Sequence, residues 1–589
     1  MRVLPLRVRD IKTGQLRVTS KTISILAAAM LMLDAVPPAM AEPADVGAYL
    51  AGRQARYDND FTAGAQYFTQ ALIKDPTNPE ILESALVAHM SLGNLDTALP
   101  IARKIENDGL QSQVARMVLI ADEVKREAWD DILVRVDEDR GVGMLADGLT
   151  AAWALRGKGD MDAALKRFDE VADERGLRSF AVYHKALALA SVGDYESAAE
   201  IFAGDVDGPI QRTRLGTMAW VEILSQLERG DEAIAIIEDT FGKTPDPEIA
   251  ALKARLNAGE TLPFSRVKSA QEGVAEVFFT IGQALMAESS NDYMLLYSRV
   301  AEYLKPDHID AMLMTAGLLE GLERYDLATL AYKRVPATHP NFHVAELGRA
   351  ETLRSAGKSE AAVEVLDQLA KSHSDLPVVH VSAGDLHRFL DEFDKAVLAY
   401  DRAIDLYADQ GTDQWFAYYA RAISHERLGN WDKAEADFRK ALELNPEHPQ
   451  VLNYLGYSLV EEQIKLDEAL DMIERAVAAQ PNSGYIVDSL GWVLYRLGRY
   501  DEAIVHMERA AELEPVDPVV NDHLGDVLWS VGRFTEAEFQ WKRALSFADE
   551  DEPSEDLDAD RIRRKLEVGL DEVLKQEGAP PLKLVKDDG

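Results

Sequence analysis

The sequence of 589 residues contains no cysteine. A protein without thiols forms no disulfide, offers no thiolate to a metal, and has no thiol for nucleophilic attack or lipid attachment. Positive charge is also scarce, since 63 Lys and Arg face 102 Asp and Glu and the net charge is −39. Nucleic acid and anionic lipid attract basic surfaces, so the composition argues against both as partners.

Long apolar runs are scarce as well. The run Ile23–Leu33 has eleven residues, well short of the roughly 20 that a membrane-spanning helix needs, and no later run reaches that length. It follows six basic residues and precedes Pro37-Pro38 and Ala39–Ala41, which is the pattern of a cleavable export signal. We therefore expect a signal peptide over residues 1–41, a mature chain without a membrane span, and a periplasmic location.

A repeated pattern runs through the rest of the chain. Asp488–Ala503 reads DSLGWVLYRLGRYDEA, and 34 residues later Asp522–Ala537 reads DHLGDVLWSVGRFTEA. Leu, Gly, Gly, Arg and the closing Glu-Ala recur at fixed positions, whereas the residues between them change. Fixed spacing with variable filling indicates a repeated structural unit. Marker residues continue this register, mostly in steps of 34, at Gly64, Ala98, Ile132, Ala164, Ala198, Ala233, Met294, Ala328, Ala362, Ala396, Ala434, Ala469, Ala503 and Ala537.

Each unit has the spacing of two helices. Around Asp488 the apolar or small residues lie three, four or seven positions apart on two successive segments, so each set shares one face of a helix. Gly498 and Arg499 supply the turn between these helices, and Pro515 ends the second helix. The two sets are Val487, Leu490, Gly491 and Leu494, followed by Ala503, Met507 and Ala510.

This unit resembles the tetratricopeptide repeat, a 34-residue helix-turn-helix with a small residue in the first helix, Ala twice in the second and Pro at the end. The resemblance covers residues 45 to 548. It implies an all-α fold, a right-handed α-solenoid of about 14 repeats with a C-terminal capping helix. Because such a unit cannot bury its apolar stripe alone, neighbouring units stack and share a continuous core.

The pattern lapses in one place, between Pro245 and Ser269, and this lapse divides the chain. We predict an N-terminal array over 45–245, an irregular break over 246–272 and a C-terminal array over 273–548. An acidic linker then covers 549–560, a capping helix 561–577, and a tail 578–589. The capping helix carries the apolar stripe Ile562, Leu566, Leu570 and Val573.

No catalytic arrangement stands out. Gly242-Lys243-Thr244 and Gly357-Lys358-Ser359 resemble the end of a phosphate-binding loop, but Ile237 and Thr352 occupy the place of its first Gly. The twelve histidines are scattered, and no His-Glu-x-x-His run exists. We therefore predict that the protein is not an enzyme and has no cofactor and no bound metal.

The resemblance also suggests where partners bind. In tetratricopeptide folds the concave groove is lined by positions two, five, nine, twelve and thirteen of each first helix. Aromatic residues with Arg at their edges are typical of protein-binding hot spots, although rings in repeats also pack between neighbouring units. The predicted groove residues are Trp492, Tyr495, Arg496, Tyr485, Trp529, Tyr457, Tyr419, Phe416, Arg427, Phe389 and Arg388.

The whole-chain plan resembles the outer-membrane tetratricopeptide adaptors that hold a carboxy-terminal processing protease and present cell-wall hydrolases to it. The runs DSLGWVLYRLGRYDEA and HLGDVLW carry most of this similarity. Those adaptors are lipoproteins, whereas this chain lacks the lipid-bearing Cys. The resemblance implies a non-enzymatic periplasmic scaffold whose partners are a processing protease and cell-wall hydrolases. The alternative is a structural subunit of an envelope secretion or polysaccharide-assembly complex, which predicts permanent complexes.

Overall fold

A computed structural model describes residues 45–206, 213–242, 246–548 and 557–579. Over these residues the chain forms 31 α-helices and one short 3-10 turn, with no strand. Twenty-eight of the helices follow one another as fourteen pairs along the chain, which confirms the all-α tetratricopeptide solenoid class. The predicted signal peptide and most of the predicted acidic linker and tail lie outside the described residues.

The chain divides into two compact units, Met1–Ala88 and His89–Gly589. The described part of the first unit contains α1 (Val46–Tyr57), α2 (Phe61–Lys74) and most of α3 (Pro79–Ser91). Asp45 and Asp60 cap the first two helices by accepting hydrogen bonds from Ala48 N and Ala63 N. Phe68 is fully buried against Gly52, where a Cβ would lie 2.9 Å from the ring.

After the end of α3, the second unit continues with α4, a stack of four helix pairs and one unpaired helix. Residues 247–257 are helical, although the sequence predicts an irregular break over 246–272, because Asp246 caps a helix with Pro247 at its first position. The helices are α4 (Leu95–Asn107), α5 (Gln113–Lys125), α6 (Trp129–Asp137), α7 (Met144–Gly157), α8 (Met161–Asp173), α9 (Arg178–Ala190), α10 (Tyr195–Ala203), α11 (Arg214–Gln226), α12 (Gly230–Phe241) and α13 (Pro247–Asn257).

The next pair leaves this stack. After the non-helical residues 258–269, α14 (Ala270–Ala284) packs against α7, α9 and α5, and α15 (Asn291–Leu304) packs against α5. Phe278 and Phe279 on α14 are fully buried. The sequence assigns this pair to the start of the C-terminal array, but the structure lays it across the first helices of the preceding pairs.

A second stack of seven pairs follows. A small residue in a first helix receives a large side chain from its second helix, as the repeat pattern predicts: a Cβ on Gly491 would lie 2.8 Å from Met507, and one on Gly384 would lie 2.6 Å from Tyr400. The helices are α16 (Ile309–Gly321), α17 (Tyr325–Tyr332), α18 (Phe342–Ser355), α19 (Ser359–Ser372), α20 (Pro377–Phe389), α21 (Phe393–Asp409), α22 (Trp415–Arg427), α23 (Trp431–Leu444), α24 (Pro449–Glu461), α25 (Leu466–Ala479), α26 (Gly484–Arg496), α27 (Tyr500–Leu513), α28 (Pro518–Ser530) and α29 (Phe534–Phe547).

The short turns inside the pairs share one backbone feature, a residue in the left-handed region. Some turns use Gly there, including Gly498 with a φ of 76°, but others use a residue with a side chain, including Glu228 and Asp391. Left-handed backbone costs a residue with a Cβ about 1–2 kcal/mol. These turns are therefore set by the packing of the helices they join.

The chain ends in two short helices, α30 (Ala559–Val568) and α31 (Leu570–Gln576). The sequence predicts one capping helix over 561–577, but Gly569, with a φ of 83° and a ψ of 156°, separates the two. Ile562, Leu570 and Val573 are fully buried. The pair packs against α29 and lies beside α28.

Candidate functional site

The surface of interest is the first-helix face, which we define as the side of a stack formed by positions two, five, nine, twelve and thirteen of the first helices. In the first stack of the second unit this face is filled by the chain itself, through residues 262–304. The Trp153 ring of α7 lies 2.2 Å from the position that a Cβ on Gly273 of α14 would take. Arg156 of α7 donates to the backbone oxygen of Lys268 at 3.3 Å.

The neighbouring first helices make corresponding contacts. Glu222 of α11 accepts hydrogen bonds from the backbone and hydroxyl of Ser265, both at 2.7 Å, and from Arg266 Nε at 3.1 Å. Lys125 of α5 donates to the backbone oxygen of Tyr303 at 2.9 Å. Since α9 also packs against α14, four successive first helices contact one continuous segment, and their first-helix face is a protein interior here.

Two buried polar networks fix α14 in place. Glu276 accepts a hydrogen bond from Tyr183 at 2.8 Å and lies 3.3 Å from His308 Nε2. Burial by itself would raise the pKa of Glu276, but these two partners and the nearby His184 outweigh burial and lower the pKa to about 2. Glu276 is thus held as a carboxylate.

The second network keeps a histidine neutral. Trp153 Nε1 donates to Nδ1 of His184 at 3.2 Å, so Nδ1 carries no proton, and Nε2 lies 3.2 Å from Thr280 Oγ1. Burial lowers the pKa of His184 to about 4. The hydrogen bonds and the burial both favour the neutral imidazole.

The other end of the second unit is also covered. Trp529, a predicted groove residue, donates from its indole nitrogen to Asp571 of α31 at 3.0 Å, and Gly569 lies against its ring. Lys565 of α30 donates hydrogen bonds to Asp522 and Asp526 of α28, the helix that also carries Trp529. The C-terminal helices α30 and α31 therefore occupy the first-helix face of α28.

Two further predicted groove residues lie inside the packing. Trp492 and Tyr495 are only 8% and 7% exposed, so the expectation that their rings stand free of the packed core is wrong. Trp492 stacks on His523 of the next first helix with ring centroids 4.0 Å apart, and its indole donates to Glu461 of the preceding one at 2.7 Å. The ring joins three repeats, a role that spacing within one unit does not reveal.

Similar contacts between a ring and a charged side chain occur along the second stack. The guanidinium of Arg354 lies 4.7 Å from the centre of the Phe389 ring on the next first helix. Tyr454 donates to Glu426 of the preceding first helix at 3.3 Å. Arg388 is held by Tyr400 and Asp385. Part of the aromatic and Arg content of this face therefore connects successive repeats.

The remaining predicted residues form the central face, which we define as the first-helix face of α18, α20, α22, α24 and α26. Phe389 and Tyr485 are 39% and 43% exposed, and Arg427 is exposed as well. No helix from outside the stack packs on α20, α22 or α24 within the described part of the chain. The half-buried predicted residues of this face are Phe416, Tyr419, Tyr457, Arg388 and Arg496.

Other residues of this face were not predicted from the sequence. Val344 and Val378, at position two of their first helices, are 42% and 40% exposed and continue the apolar row toward Phe416. Asn453, at position five of α24, has a buried side-chain oxygen without a hydrogen-bond partner. Their positions follow from the repeat spacing, but Val and Asn lack the ring or guanidinium that marks a binding hot spot in a sequence.

Other kinds of site find no support in the geometry. Within the described residues no group of three or more His, Asp and Glu side chains is placed to hold a metal ion. Among the described helices, none combines the length and the apolar character needed to cross a bilayer.

Comparison with known proteins agrees with the helix pairs. Sequence profiles of the tetratricopeptide repeat match residues 49–110, 149–204, 347–411, 419–484 and 487–515. The chain therefore contains tetratricopeptide repeats, units that commonly form protein-interaction scaffolds. The profiles leave residues 205–346 unmatched, which includes α14 and α15.

A curated relative is a TPR repeat-containing protein of Pseudomonas aeruginosa, 26% identical over 160 residues, or 27% of this chain. The match spans about a quarter of that relative, 26% of its length. One similar solved structure is the APC/C hetero-tetramer Cut9-Hcn1, 15% identical with a TM-score of 0.37, covering 89% of this chain and 96% of that one. Another is YrrB, described as a TPR protein with an unusual peptide-binding site, 21% identical with a TM-score of 0.26, covering 31% of this chain and 93% of that one.

Proposed function

We propose that the protein is an exported, non-enzymatic scaffold that binds partner proteins on the central face. The observation that carries this proposal is the contrast along the first-helix face. Residues 262–304 fill it in the first stack and α30 and α31 cover it at α28, whereas rings and Arg side chains stay accessible between them. Exposed aromatic residues beside Arg, in a protein of net charge −39, are the composition of a protein-binding surface.

The narrower proposal is that this scaffold works in the periplasm and presents cell-wall hydrolases to a carboxy-terminal processing protease. Its support is the resemblance of the C-terminal repeats to such adaptors and the leader pattern of residues 1–41. Cleavage after Ala41 would give a mature protein that begins at Glu42. Sequencing the N-terminus of protein recovered from a periplasmic fraction tests this. An intact Met1 in the cytoplasmic fraction would contradict it.

The binding surface is tested with two variants of the full chain. Phe389→Ala with Tyr485→Ala removes two exposed rings of the central face. Leu398→Ala with Phe539→Ala is the matched control, because these side chains are 69% and 59% exposed on second helices. We expect envelope proteins that co-purify with wild type to be lost from the first variant and kept by the control.

Each result has a defined reading. Equal recovery by both variants would remove the central face as the binding surface. A processing protease among the proteins lost would support the adaptor role. Partners that remain bound in fixed stoichiometry through high salt would favour the structural-subunit alternative, since permanent interfaces are larger and more apolar than transient ones.

A further inference from the structure

The C-terminal helices α30 and α31 are held on α28 by a buried ammonium group. Lys565 Nζ lies 2.9 Å from both carboxylate oxygens of Asp522 and 2.6 Å from Asp526 Oδ1. The side chain of Lys565 is 0% exposed. Asp522 and Asp526 stand one helical turn apart at positions five and nine of the first helix, so a single cation bridges two groove-facing carboxylates.

The carboxylates of Asp522 and Asp526 favour a positively charged group beside them. Burial raises the pKa of Asp522, the neighbouring Asp526 raises it further, and Lys565 lowers it. Arg561 adds a second positive charge 3.5 Å from Asp526 Oδ2. If α30 were removed with nothing in its place, two like charges would face each other at one-turn spacing, which is unfavourable. A segment that replaces α30 is therefore favoured when it brings Lys or Arg to this position.

The ring of Trp529 on α28 packs closely against the turn between α30 and α31. The ring of Trp529 lies where a Cβ on Gly569 would approach within 2.7 Å, and Gly569 has a φ of 83°. Only a residue without a Cβ makes this close approach in that conformation without strain. The indole nitrogen donates to Asp571 at 3.0 Å. We call Asp522, Asp526 and Trp529 together the α28 seat.

One of the two helices in the seat, α30, is a basic amphipathic helix with four Lys and Arg against two Asp and Glu. Ile562, Leu570 and Val573 face the protein and are fully buried, whereas Arg563 and Arg564 are exposed. This pattern, a Lys flanked by apolar residues on one helical face, is how a helix docks into a groove of another protein. Here the docked helix and its groove belong to one chain.

We propose that α30 and α31 are a tethered ligand, and that the α28 seat binds a basic amphipathic helix of a partner protein when they are released. The proposal rests on the proposed function, because it assigns a partner chemistry to one end of the binding surface. A tethered segment acts at an effective concentration on the order of 1 mM. If its own dissociation constant is about 10 µM, a competing helix binds about 100-fold more weakly than to an open seat.

The test uses the full chain with Lys565→Glu and Leu570→Asp, which places repulsive charge in the seat and removes an apolar anchor. Lys575→Glu is the matched control, since that side chain is 77% exposed in the same helices. The probes are two labelled peptides. One is residues 557–578 of this chain, and the other is an unrelated helix with Lys and apolar residues at the same spacing.

We expect both peptides to bind the open variant about 100-fold more tightly than wild type and the Lys575→Glu control. Versions of the peptides with Glu in place of the central Lys should not bind. Failure of both peptides to bind an open variant with wild-type circular dichroism overturns the proposal. Binding of the chain's own peptide alone also overturns it, because the seat would then serve only as an internal packing surface.

Two further measurements decide the remaining cases. Dimers of wild type or of the open variant, detected by light scattering, would show that the occupant is a second copy of this chain and would overturn the proposal. Hydrogen exchange on wild type needs no variant. We expect amides of α30 and α31 to exchange faster than those of α28, and equal rates would overturn release. Failure of the central-face variants leaves these results unaffected, so the two proposals fail separately.

Discussion

The first-helix faces of the two stacks in the second unit use the same repeat positions for opposite purposes. In the first stack, positions five and nine carry Leu149 and Trp153 on α7, both fully buried under residues 262–304. In the second stack the corresponding positions of α20 carry Val381 and Asp385, with Arg388 and Phe389 at twelve and thirteen. On these two helices, large apolar residues accompany the filled face, and rings mixed with charge accompany the accessible one.

The distinction between the filled and the accessible face is tested most directly by a Phe→Ala substitution in each stack. Phe278→Ala removes a fully buried ring of α14, the helix that fills the first-stack face, and should cost about 3–5 kcal/mol. Phe389→Ala removes a ring that is 39% exposed and should cost less than about 1 kcal/mol. Local hydrogen exchange of α7 and α22 measures each effect, because long repeat arrays depart from two-state unfolding. Similar costs would contradict the distinction.

The second-largest difference should be in the response to acid, which we expect to destabilise the filled face more than the accessible one. His184 has a folded pKa of about 4, below the ordinary value of 6.5, so its unfolded form binds more protons. The contribution of neutral His184 to the free energy of unfolding is therefore fully present above pH 6.5. It is lost as the pH drops toward about 4, by about 3 kcal/mol in all. Glu276 adds a loss in the same direction below about pH 4.5, because its folded pKa is about 2.

The readout of the acid effect is hydrogen exchange of α14 between pH 7 and pH 4.5, corrected for intrinsic rates, with α22 as the internal reference. We expect protection to fall in α14 more than in α22. In a His184→Gln variant the part of the pH dependence above pH 4.5 should disappear. An unchanged pH profile in that variant would show that another group is responsible.

A smaller effect is expected where a ring joins repeats of the second stack. Glu461→Ala leaves the indole N–H of the buried Trp492 without its acceptor, which should cost about 1–2 kcal/mol. Glu462→Ala, at the exposed neighbouring position, is the control and should be neutral within about 0.5 kcal/mol. Local hydrogen exchange of α26 measures both, for the same reason as above. Equal effects would mean that the indole hydrogen bond contributes nothing to stability.

The smallest effect should be the same in both stacks. Glu228→Gly and Asp391→Gly each replace a left-handed residue that carries a Cβ, and each should stabilise its pair by about 1 kcal/mol. Because these turns lie outside the first-helix faces, filling of a face should not matter. Local hydrogen exchange of α11 and α12 in the first variant, and of α20 and α21 in the second, provides the measurement. A gain in only one stack would show that the turn is coupled to the face.

The repeat architecture was predictable because it is local. Gly491 and Met507, or Gly384 and Tyr400, belong to one helix pair, so their meeting follows from 34-residue spacing and helical periodicity. The central face followed partly from the same register, since Phe389 and Tyr485 are exposed as expected. Their spacing alone sufficed, because in the described part of the chain α20 and α26 pack against helices of their own stack.

Contacts between distant parts of the chain were not predictable in this way. Gly273 meets Trp153, and Glu276 meets Tyr183, across long sequence separations, so no pattern within one repeat reports them. Trp492 and Trp529 read as groove residues because each lies at a groove position. Their environments depend on His523 of the next repeat and on Gly569 of the C-terminal helices. Local periodicity predicts the helix face on which a ring lies, but not which residues from distant parts of the chain pack against it.

The segment over 262–304 also imposes an order on biosynthesis. The helices α5, α7, α9 and α11 leave the ribosome before the residues that complete their interior, and chains elongate at about 5–20 residues per second. For some seconds the nascent chain therefore presents Leu149 and Trp153 uncovered, as a client surface for holding chaperones. Truncation before Ala270 would make that exposure permanent, so fragments ending there should aggregate.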